Sequence, residues 1–224
     1  APQRKVWKKE DAASPTPHLE SVILSAGIAA WERRKTRCFD IPSAFPTADT
    51  DEEVIMVLKG DLADLLIRLA PTLYGPFAIK DARGRTLLYV CLQKAVYGLM
   101  RAALLFYRKF RGELEAYGFV VNPYDPCVAN KMIDGTQMTV CWHVDDLKIS
   151  HKKSSCVTEL FKFLKDKYGK LRSSWGHVHD YLGLELVYSS RGKVKVSMAA
   201  YEEESARELS EAQLVSSWNR CLSM

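Results

Sequence analysis

Two adjacent aspartates, Asp145 and Asp146, interrupt an apolar stretch of the chain and restrict its fold more than any other feature. Residues 138–144 alternate apolar with other side chains before the pair, and residues 147–149 resume the apolar pattern. Because side chains alternate faces along a strand, both carboxyls can serve one site only where the chain turns between two strands. Aspartate is also a common turn residue, so the pair alone leaves a plain polar turn as the alternative.

A turn of this kind places two carboxylates close together, which costs electrostatic energy unless a cation neutralises them. Mg²⁺ takes oxygen ligands and is usually shared between carboxylates and substrate phosphates. A third carboxylate, Asp40, lies in the short apolar run of residues 38–41, much earlier in the chain. Together, Asp40, Asp145 and Asp146 could hold two Mg²⁺ ions ~4 Å apart, the arrangement used for in-line phosphoryl transfer. We therefore take them as candidate catalytic residues and metal ligands.

Hydrophobic periodicity predicts an α+β fold around an antiparallel sheet. Apolar residues recur at helical spacing over residues 19–31, 62–69, 102–117 and 156–168. Apolar or alternating runs predict strands over residues 38–41, 87–92, 138–144, 181–188 and 193–198. Asp134-Gly135 predicts a tight hairpin turn, and Arg33, Arg34 and Lys35 are expected to close the first helix because cations suit its C-terminal dipole. Helices mixed with strands that are joined by short turns are typical of this fold class.

Charge and cysteine content exclude some classes of protein but do not identify a partner. A net charge of +5 over 224 residues permits a polyanionic partner without requiring one. The six cysteines form no C-x-x-C pair and follow no signal peptide, which argues against a disulfide framework. No apolar run approaches the ~18–20 residues of a membrane span. We therefore expect an intracellular protein, in the cytoplasm or the nucleus, without a transmembrane segment.

Short motifs follow one another in order between residues 14 and 200. They are Ser14-Pro15-Thr16, Asp40 with Ala44 and Phe45 following it, Ala95-Val96-Tyr97-Gly98-Leu99, Asp125-Pro126-Cys127, Val144-Asp145-Asp146 and Asp180-Tyr181-Leu182-Gly183. Any one of them would mean little, because single motifs produce false positives. In this order and at this spacing, they resemble the reverse transcriptase of copia-type LTR retrotransposons.

The resemblance implies an architecture, an activity and a set of partners. The fold would be a reverse-transcriptase-like palm, an antiparallel sheet packed on helices, with partial fingers. The activity would be RNA-directed DNA synthesis, by two-metal nucleotidyl transfer from deoxynucleoside triphosphates to a primer 3′-hydroxyl. The cofactor would be Mg²⁺ or Mn²⁺, and the partners would be an RNA or DNA template–primer and other regions of a retroelement polyprotein, with no membrane.

The resemblance also implies roles for single residues. Asp40, Asp145 and Asp146 would be the metal ligands. Phe45 would be a steric gate in substrate binding, because a rigid ring cannot easily yield the volume that a ribose 2′-hydroxyl needs. Phenylalanine is often buried, so core packing is the alternative for Phe45. Arg101 stands where the family has a glutamine that helps to hold the incoming nucleotide, and its charge could contact phosphate instead.

A basic tract and one substitution bear on nucleic-acid binding and activity. Lys148, Lys152 and Lys153 open a run of cations after the aspartate pair and are candidates for contacts with template–primer phosphates. A solvated helix face is the alternative for this tract. His143 stands where the family usually has tyrosine, and a protonated histidine there would weaken metal binding by repulsion.

The resemblance predicts that the chain has three parts. Residues 1–18 would be a polar N-terminal segment from truncated fingers, residues 19–200 the palm and fingers domain, and residues 201–224 a charged helical tail. The upstream fingers strands, the thumb, and the RNase H and integrase regions would be missing.

Two alternatives to a working polymerase stay open. The chain could be a catalytically inactive retroelement remnant that keeps residual nucleic-acid binding, which His143 and Arg101 favour. It could also be an unrelated α+β interaction protein in which the aspartate pair is a coincidence. That second alternative predicts that Asp40 lies far from Asp145 and Asp146.

Overall fold

A computed structural model describes residue 8 and residues 12–198, and these residues form two compact units. The first unit contains residues 43–109 and the described part of residues 1–14. The second contains residues 15–42 and the described residues from 110 onward. The helical tail that we predict over residues 201–224 lies outside the described residues, and the division into three parts stays a prediction.

The second unit is built on a six-stranded sheet in which neighbouring strands are antiparallel. In spatial order, its strands are β5 (Val120–Val121), β6 (Val128–Ile133), β7 (Thr136–His143), β8 (Asp146–His151), β1 (Lys35–Asp40) and β9 (Arg172–Trp175). A separate three-stranded antiparallel sheet contains β10 (Val178–Tyr181), β11 (Leu184–Tyr188) and β12 (Val194–Ser197). The α+β class and the antiparallel sheet that the sequence predicts are therefore confirmed.

Four of the five helices of the described residues lie where the hydrophobic periodicity predicts them, and the short helix Pro71–Tyr74 is not predicted. The five helices are α1 (Leu19–Trp31), α2 (Asp61–Leu69), α3 (Pro71–Tyr74), α4 (Ala102–Ala116) and α5 (Ser154–Tyr168). Short 3₁₀ turns occupy Phe45–Thr47 and Gly75–Phe77. None of the helices in the described part of the chain is long and apolar enough to cross a membrane.

Both faces of the six-stranded sheet are buried along its central strands β7, β8 and β1. On one face, Trp142 of β7 is fully buried against Phe110 of α4, with ring centroids 5.7 Å apart. On the same face, Phe39 of β1 meets Phe161 of α5 edge-on at 5.4 Å. On the other face, α1 and the three-stranded sheet enclose a core that includes Val22, Ala26, Cys38, Cys141, Tyr181, Leu184 and Leu186. The alternation over residues 138–144 therefore separates two buried faces, rather than a buried face from an exposed one.

The end of α1 differs from the expected arrangement. The last turn of the helix carries no cation, because α1 ends at Trp31 and Lys35 already begins β1. Arg33 adopts a left-handed conformation with φ +53°, and its N–H donates to the Ala30 carbonyl oxygen at 3.0 Å. The expectation that Arg33, Arg34 and Lys35 close the helix through its dipole is therefore wrong. Backbone hydrogen bonds close it instead.

The first unit contains a three-stranded antiparallel sheet in the order β2 (Asp49–Lys59), β4 (Thr86–Lys94) and β3 (Ile79–Lys80). Helix α2 packs on this sheet through a small core of Leu58, Ala63 and Leu88. The strand predicted over residues 87–92 is confirmed within β4. The sequence analysis misses β2, because residues 49–53 are mainly acidic and the continuous apolar run begins only at Val54.

The sequence pattern also misses β9 and β10. It predicts one strand over residues 181–188, whereas β10 ends at Tyr181 and β11 begins at Leu184. Between them, Leu182 and Gly183 have φ angles of +54° and +74°, which form a tight turn. Because Leu182 is apolar, nothing in the hydrophobic pattern marks the break.

The aspartate pair lies in the hairpin that joins β7 to β8, as the sequence predicts. His143 pairs with Asp146 across this hairpin and leaves Val144 and Asp145 as the two turn residues. Val144 has a φ of +52°, and a β-branched residue adopts this conformation only with strain of roughly 1–3 kcal/mol. The Ile41 N–H donates a hydrogen bond of 3.0 Å to the Asp145 carbonyl oxygen and ties the turn to β1.

Replacing Val144 by glycine is expected to raise the free energy of unfolding by up to about 1 kcal/mol, because glycine adopts a positive φ without steric cost. Chemical denaturation of the two proteins measures the change. Val178→Gly, at a half-exposed valine of β10, is the matched control and should lower stability, because glycine weakens a strand. Equal losses in the two variants would show that Val144 is not strained.

Candidate active site

The structure brings the three candidate carboxylates together at one end of the six-stranded sheet. Asp40, the last residue of β1, is the antiparallel partner of Asp146, the first residue of β8. The Asp145 carboxyl is close enough to Asp40 to raise the pKa of Asp40. An unrelated protein with a coincidental aspartate pair would have Asp40 far away, and the observed pairing contradicts that alternative.

Burial and mutual repulsion make this cluster unfavourable without a cation. Burial raises the pKa of Asp40, and the neighbouring Asp145 raises it further. The pKa of Asp146 is also raised, first by burial and then by the charges of Asp145 and Asp40. A raised carboxyl pKa means that the ionised form is disfavoured, so a bound cation would stabilise the charged cluster.

A cleft of about 280 Å³ opens beside the carboxylates. It is lined by Cys38, Phe39, Asp40, Asp146, Leu147, Arg172, Ser173, Ser174, Asp180 and Tyr181. Arg172, the first residue of β9, is the strand partner of Asp40 on the side away from β8. Its charge lowers the pKa of Asp40, against the larger effect of burial. Sequence reasoning misses Arg172 as a residue of this cleft, because the short, polar β9 has no apolar alternation to reveal it.

His143, which departs from the motif expected at this position, lies beside the carboxylates. It is half-buried and pairs with Asp146 across the hairpin. Its positive charge lowers the pKa of Asp146, although less than burial raises it. The Nδ1 atom is buried and makes no hydrogen bond within the described residues. A protonated His143 would compete with a metal ion for the negative charge of Asp146.

The chemistry of the carboxylates suits a hard divalent ion, but their placement here does not form a closed ligand set. Carboxylate oxygens are the ligands that Mg²⁺ and Mn²⁺ prefer. Among the residues that the structure describes, no three His, Cys, Asp or Glu side chains are placed to hold one metal ion. Metal binding would therefore require these carboxylates to rearrange.

Phe45 lies in the first compact unit, at the start of a 3₁₀ turn. Its ring packs against Tyr97, with centroids 4.7 Å apart, and its carbonyl oxygen accepts a 2.9 Å hydrogen bond from the Ala48 N–H. The residue is only partly buried. The ring is therefore packed against a neighbour without being part of a fully buried core.

Arg101 also lies in the first unit, where a carboxylate holds its guanidinium. Nη1 and Nη2 donate hydrogen bonds of 2.8 and 2.6 Å to the two carboxylate oxygens of Asp51. The Arg101 side chain is 8% exposed, and Arg108 contacts the same carboxylate at 3.3 Å. Because this bidentate pairing uses the face of the guanidinium that matches a phosphate, Arg101 can bind phosphate only if Asp51 releases it.

The basic tract divides into one buried lysine and two exposed ones. Lys148 is 1% exposed, and its Nζ donates a 2.9 Å hydrogen bond to Ser25 Oγ. The assignment of Lys148 as a phosphate contact is therefore corrected, because β8 directs this side chain into the core on the α1 side of the sheet. Lys152 and Lys153 are exposed, each near one carboxylate, and both stay candidates for nucleic-acid contacts.

Among solved structures, the chain is similar to apo telomerase from Candida tropicalis, with 11% identity and a TM-score of 0.44 over 87% of this chain and 38% of that chain. It is also similar to telomerase from Candida albicans in complex with a TWJ fragment of telomeric RNA, with 11% identity and a TM-score of 0.40 over 88% of this chain and 37% of that chain. The chain thus spans less than two fifths of these two structures. TM-scores at this level carry no argument, and no curated protein matches the chain.

A match to a family model assigns the chain to a protein family, which the solved structures do not do. The model described as reverse transcriptase (RNA-dependent DNA polymerase) matches residues 3–219 of the 224. The match includes all three carboxylates and residues of both compact units. The chain therefore belongs to the reverse transcriptase (RNA-dependent DNA polymerase) family.

Proposed function

We propose that this chain is the RNA-directed DNA polymerase domain of a copia-type retrotransposon polyprotein. The observation that carries the proposal is the pairing of Asp40 with Asp146, beside Asp145, in a chain that the reverse transcriptase family matches along most of its length. The copia-type assignment rests on the motifs that follow one another in order between residues 14 and 200.

The three carboxylates would act where the primer meets the incoming deoxynucleoside triphosphate. Asp40, Asp145 and Asp146 would hold Mg²⁺ or Mn²⁺. When bound, such ions neutralise phosphate charge and lower the pKa of a hydroxyl nucleophile. The contribution of the chain itself is to position the carboxylates, because the β1–β8 pairing and the hydrogen bond from Ile41 to Asp145 fix them on two adjacent strands. Sites built on strands are held more firmly than sites built on loops.

Other residues would bind the nucleotide and the template–primer. Phe45, braced by Tyr97, would exclude the 2′-hydroxyl of a ribonucleotide. Arg101 would bind the triphosphate by exchanging the Asp51 carboxylate for phosphate oxygens. Lys152 and Lys153 would add contacts to backbone phosphates, each with its own salt dependence.

A second candidate function is nucleic-acid binding by a catalytically inactive retroelement remnant. Two observations favour it. His143 lies beside Asp146, where its protonated form opposes a metal ion. The guanidinium of Arg101 is held by Asp51, so the residue that replaces the nucleotide-binding glutamine is not free to take over that role.

Primer extension on a poly(rA)–oligo(dT) template with Mg²⁺ and dTTP tests the proposal. The wild-type chain is expected to extend the primer, and the Asp145→Asn, Asp146→Asn double variant is expected to lose at least about 100-fold in rate. The loss of metal ligands should exceed the 10–100-fold effects of the groups that support such ligands. Asp166→Asn, at an exposed carboxylate of α5, is the matched control and should leave the rate unchanged.

The outcomes of this assay separate the two candidate functions. Extension that survives in the double variant would contradict the assignment of the carboxylates. A folded wild-type chain that extends no primer, but binds the template–primer, would favour the inactive remnant. Binding should then weaken when Lys152 and Lys153 are both replaced by serine.

Thermal unfolding with and without metal tests the carboxylate cluster apart from activity. Mg²⁺ or Mn²⁺ at 100 times its dissociation constant should stabilise the wild-type chain by about 2.7 kcal/mol. For a chain of this size, that is a shift in melting temperature of roughly 5–11 °C. Asp146→Asn should lose the shift, because it removes one of the proposed ligands, whereas Asp166→Asn should keep it.

The same measurement without metal has an expected pH dependence. The pKa values of Asp40 and Asp146 are raised in the folded chain, so their contribution to stability is present at low pH and is lost as the pH rises through them. Asp146→Asn should therefore be more stable than the wild-type chain at neutral pH. A metal-dependent shift that persists in Asp146→Asn would contradict metal binding at this residue.

Nucleotide selectivity tests the role of Phe45. Phe45→Ala should raise incorporation of ribonucleotides relative to deoxyribonucleotides by roughly 10- to 200-fold, because removing the ring opens space for the 2′-hydroxyl. Primer extension on the same poly(rA)–oligo(dT) template, with UTP and dTTP in competition, measures the ratio. Phe45→Tyr keeps the ring and should retain selectivity, and Tyr97→Phe, in the contacting ring, is the second control. An unchanged ratio in Phe45→Ala would show that Phe45 only packs against Tyr97.

A further inference from the structure

A buried histidine of the second unit contacts the hydroxyl of a serine that lines the carboxylate cleft. Ser174 lies in β9 and lines the cleft, whereas His179 lies in β10 and is 1% exposed. Ser174 Oγ and His179 Nδ1 are 3.0 Å apart. On the other side of the ring, Nε2 lies 3.2 Å from the Gly176 carbonyl oxygen. The imidazole therefore connects a serine hydroxyl to a backbone carbonyl group.

The carbonyl oxygen of Gly176 fixes the direction of both hydrogen bonds. A carbonyl oxygen only accepts, so the proton of a neutral His179 is on Nε2, and Nδ1 is then an acceptor. Burial lowers the pKa of His179, against a smaller opposite effect of the hydrogen bond to Gly176, which keeps the ring neutral at neutral pH. Ser174 Oγ also lies 3.5 Å from the Cys38 carbonyl oxygen, a contact too long to compete. Ser174 therefore donates its proton to a neutral imidazole.

This arrangement is suited to activate the hydroxyl for nucleophilic attack. A nucleophile, a base within hydrogen-bond reach and a third group that orients the base are the signature of such a site. The third group in this chain is the Gly176 carbonyl, which holds His179 in the tautomer that can take the Ser174 proton. Tyr188 meets the imidazole edge-on, with ring centroids 5.9 Å apart, and packs against the base from the side.

Strand register places Ser174 on the same face of the sheet as the carboxylates. Asp40 pairs with Arg172, and Cys38 pairs with Ser174. Ser174 is therefore a diagonal neighbour of Asp40, at about 7–8 Å. Arg172 is exposed, lines the same cleft and supplies a cation that would attract phosphate oxygens. The activated hydroxyl and the proposed nucleotide site thus open into one cavity of about 280 Å³.

We propose that Ser174 accepts a nucleotidyl group from a deoxynucleoside triphosphate when no primer is present. Ser174 Oγ attacks the α-phosphorus and forms an O–P bond, while the bond from that phosphorus to the bridging oxygen breaks and pyrophosphate leaves with the electron pair. The hydroxyl proton passes to His179 Nδ1. The product is a phosphodiester between Ser174 and a deoxynucleoside with a free 3′-hydroxyl. The inference rests on the proposed polymerase function for its substrate, but it adds a protein acceptor that primer extension does not use.

Incubation of the chain with Mg²⁺ and dTTP labelled at the α-phosphate, without a primer, tests this proposal. Denaturing electrophoresis and peptide mapping should find the label covalently attached to Ser174. Label placed at the γ-phosphate should not be retained, because this phosphate leaves with pyrophosphate. Retention of the γ-label, or attachment of the α-label at another residue instead of Ser174, would overturn the proposal.

Two substitutions separate the serine from its base. Ser174→Ala should lose the label, and His179→Asn should slow labelling by roughly 100- to 10,000-fold, the contribution of a general base. The asparagine amide can accept a hydrogen bond from Ser174 but cannot take up its proton. Ser173→Ala is the matched control and should keep the label, because Ser173 faces the other side of β9, where its Oγ accepts a 2.9 Å hydrogen bond from Arg37. Labelling that is unchanged in His179→Asn would contradict the proposed role of the histidine.

Primer extension by the same preparation separates the two proposals. Extension without label on Ser174 would overturn the inference about Ser174 and leave the polymerase function standing. Label on Ser174 without extension of an added primer would support the serine and contradict templated synthesis. A folded chain that shows neither would overturn both.

A measurement without metal or nucleotide tests the activation of Ser174 in the unchanged chain. Diisopropyl fluorophosphate reacts with serines whose hydroxyl is activated by a base, and peptide mapping should find it on Ser174 and not on Ser173. This result does not depend on whether the variants fold. A folded wild-type chain that is not modified at Ser174 would show that the hydrogen bond only satisfies a buried histidine, and the proposal would be overturned.

Discussion

The antiparallel pairing of β1 with β8 is the interaction on which the site depends. It joins Asp40 to Asp146 across the sheet and, through the Ile41 N–H, anchors the turn that carries Asp145. These segments are more than a hundred residues apart in the chain, so their pairing requires a long loop to close. A single backbone hydrogen bond adds only ~1 kcal/mol. The stability of the pairing must therefore come from the burial of both faces of the sheet, by α4 and α5 on one side and by α1 and the small sheet on the other.

This two-sided core offsets features that are unfavourable by themselves. Three carboxylates lie close together with raised pKa values on Asp40 and Asp146, and Val144 sits at a positive φ in the turn between the strands. Local unfavourable features of this kind are expected at functional sites, where the surrounding structure holds them. The buried Lys148 belongs to the supporting structure, because its hydrogen bond to Ser25 connects β8 to α1.

Much of the fold was predictable from local patterns. The longer helices follow from apolar residues at helical spacing, and the turns that contain Asp134-Gly135 and Asp145 follow from polar residues between apolar strands. The elements that the sequence analysis missed have a common cause. Their residues do not have the composition that is expected of a strand or a turn. Four of the eleven residues of β2 are acidic, β9 is short and polar, and the turn at Leu182 and Gly183 begins with an apolar residue. Of the candidate site, the carboxylates were predictable, whereas Arg172 was not.

The sequence by itself determined the longer helices, the ordered motifs and the identity of the three carboxylates, because these depend on residues that are close together in the chain. Only the tertiary structure decided which side chains are available. It buries Lys148 and pairs Arg101 with Asp51. The physical reason is that these outcomes depend on strand register and on what covers each face of a sheet. When both faces are covered, alternation along a strand cannot show which of its polar residues reach the surface.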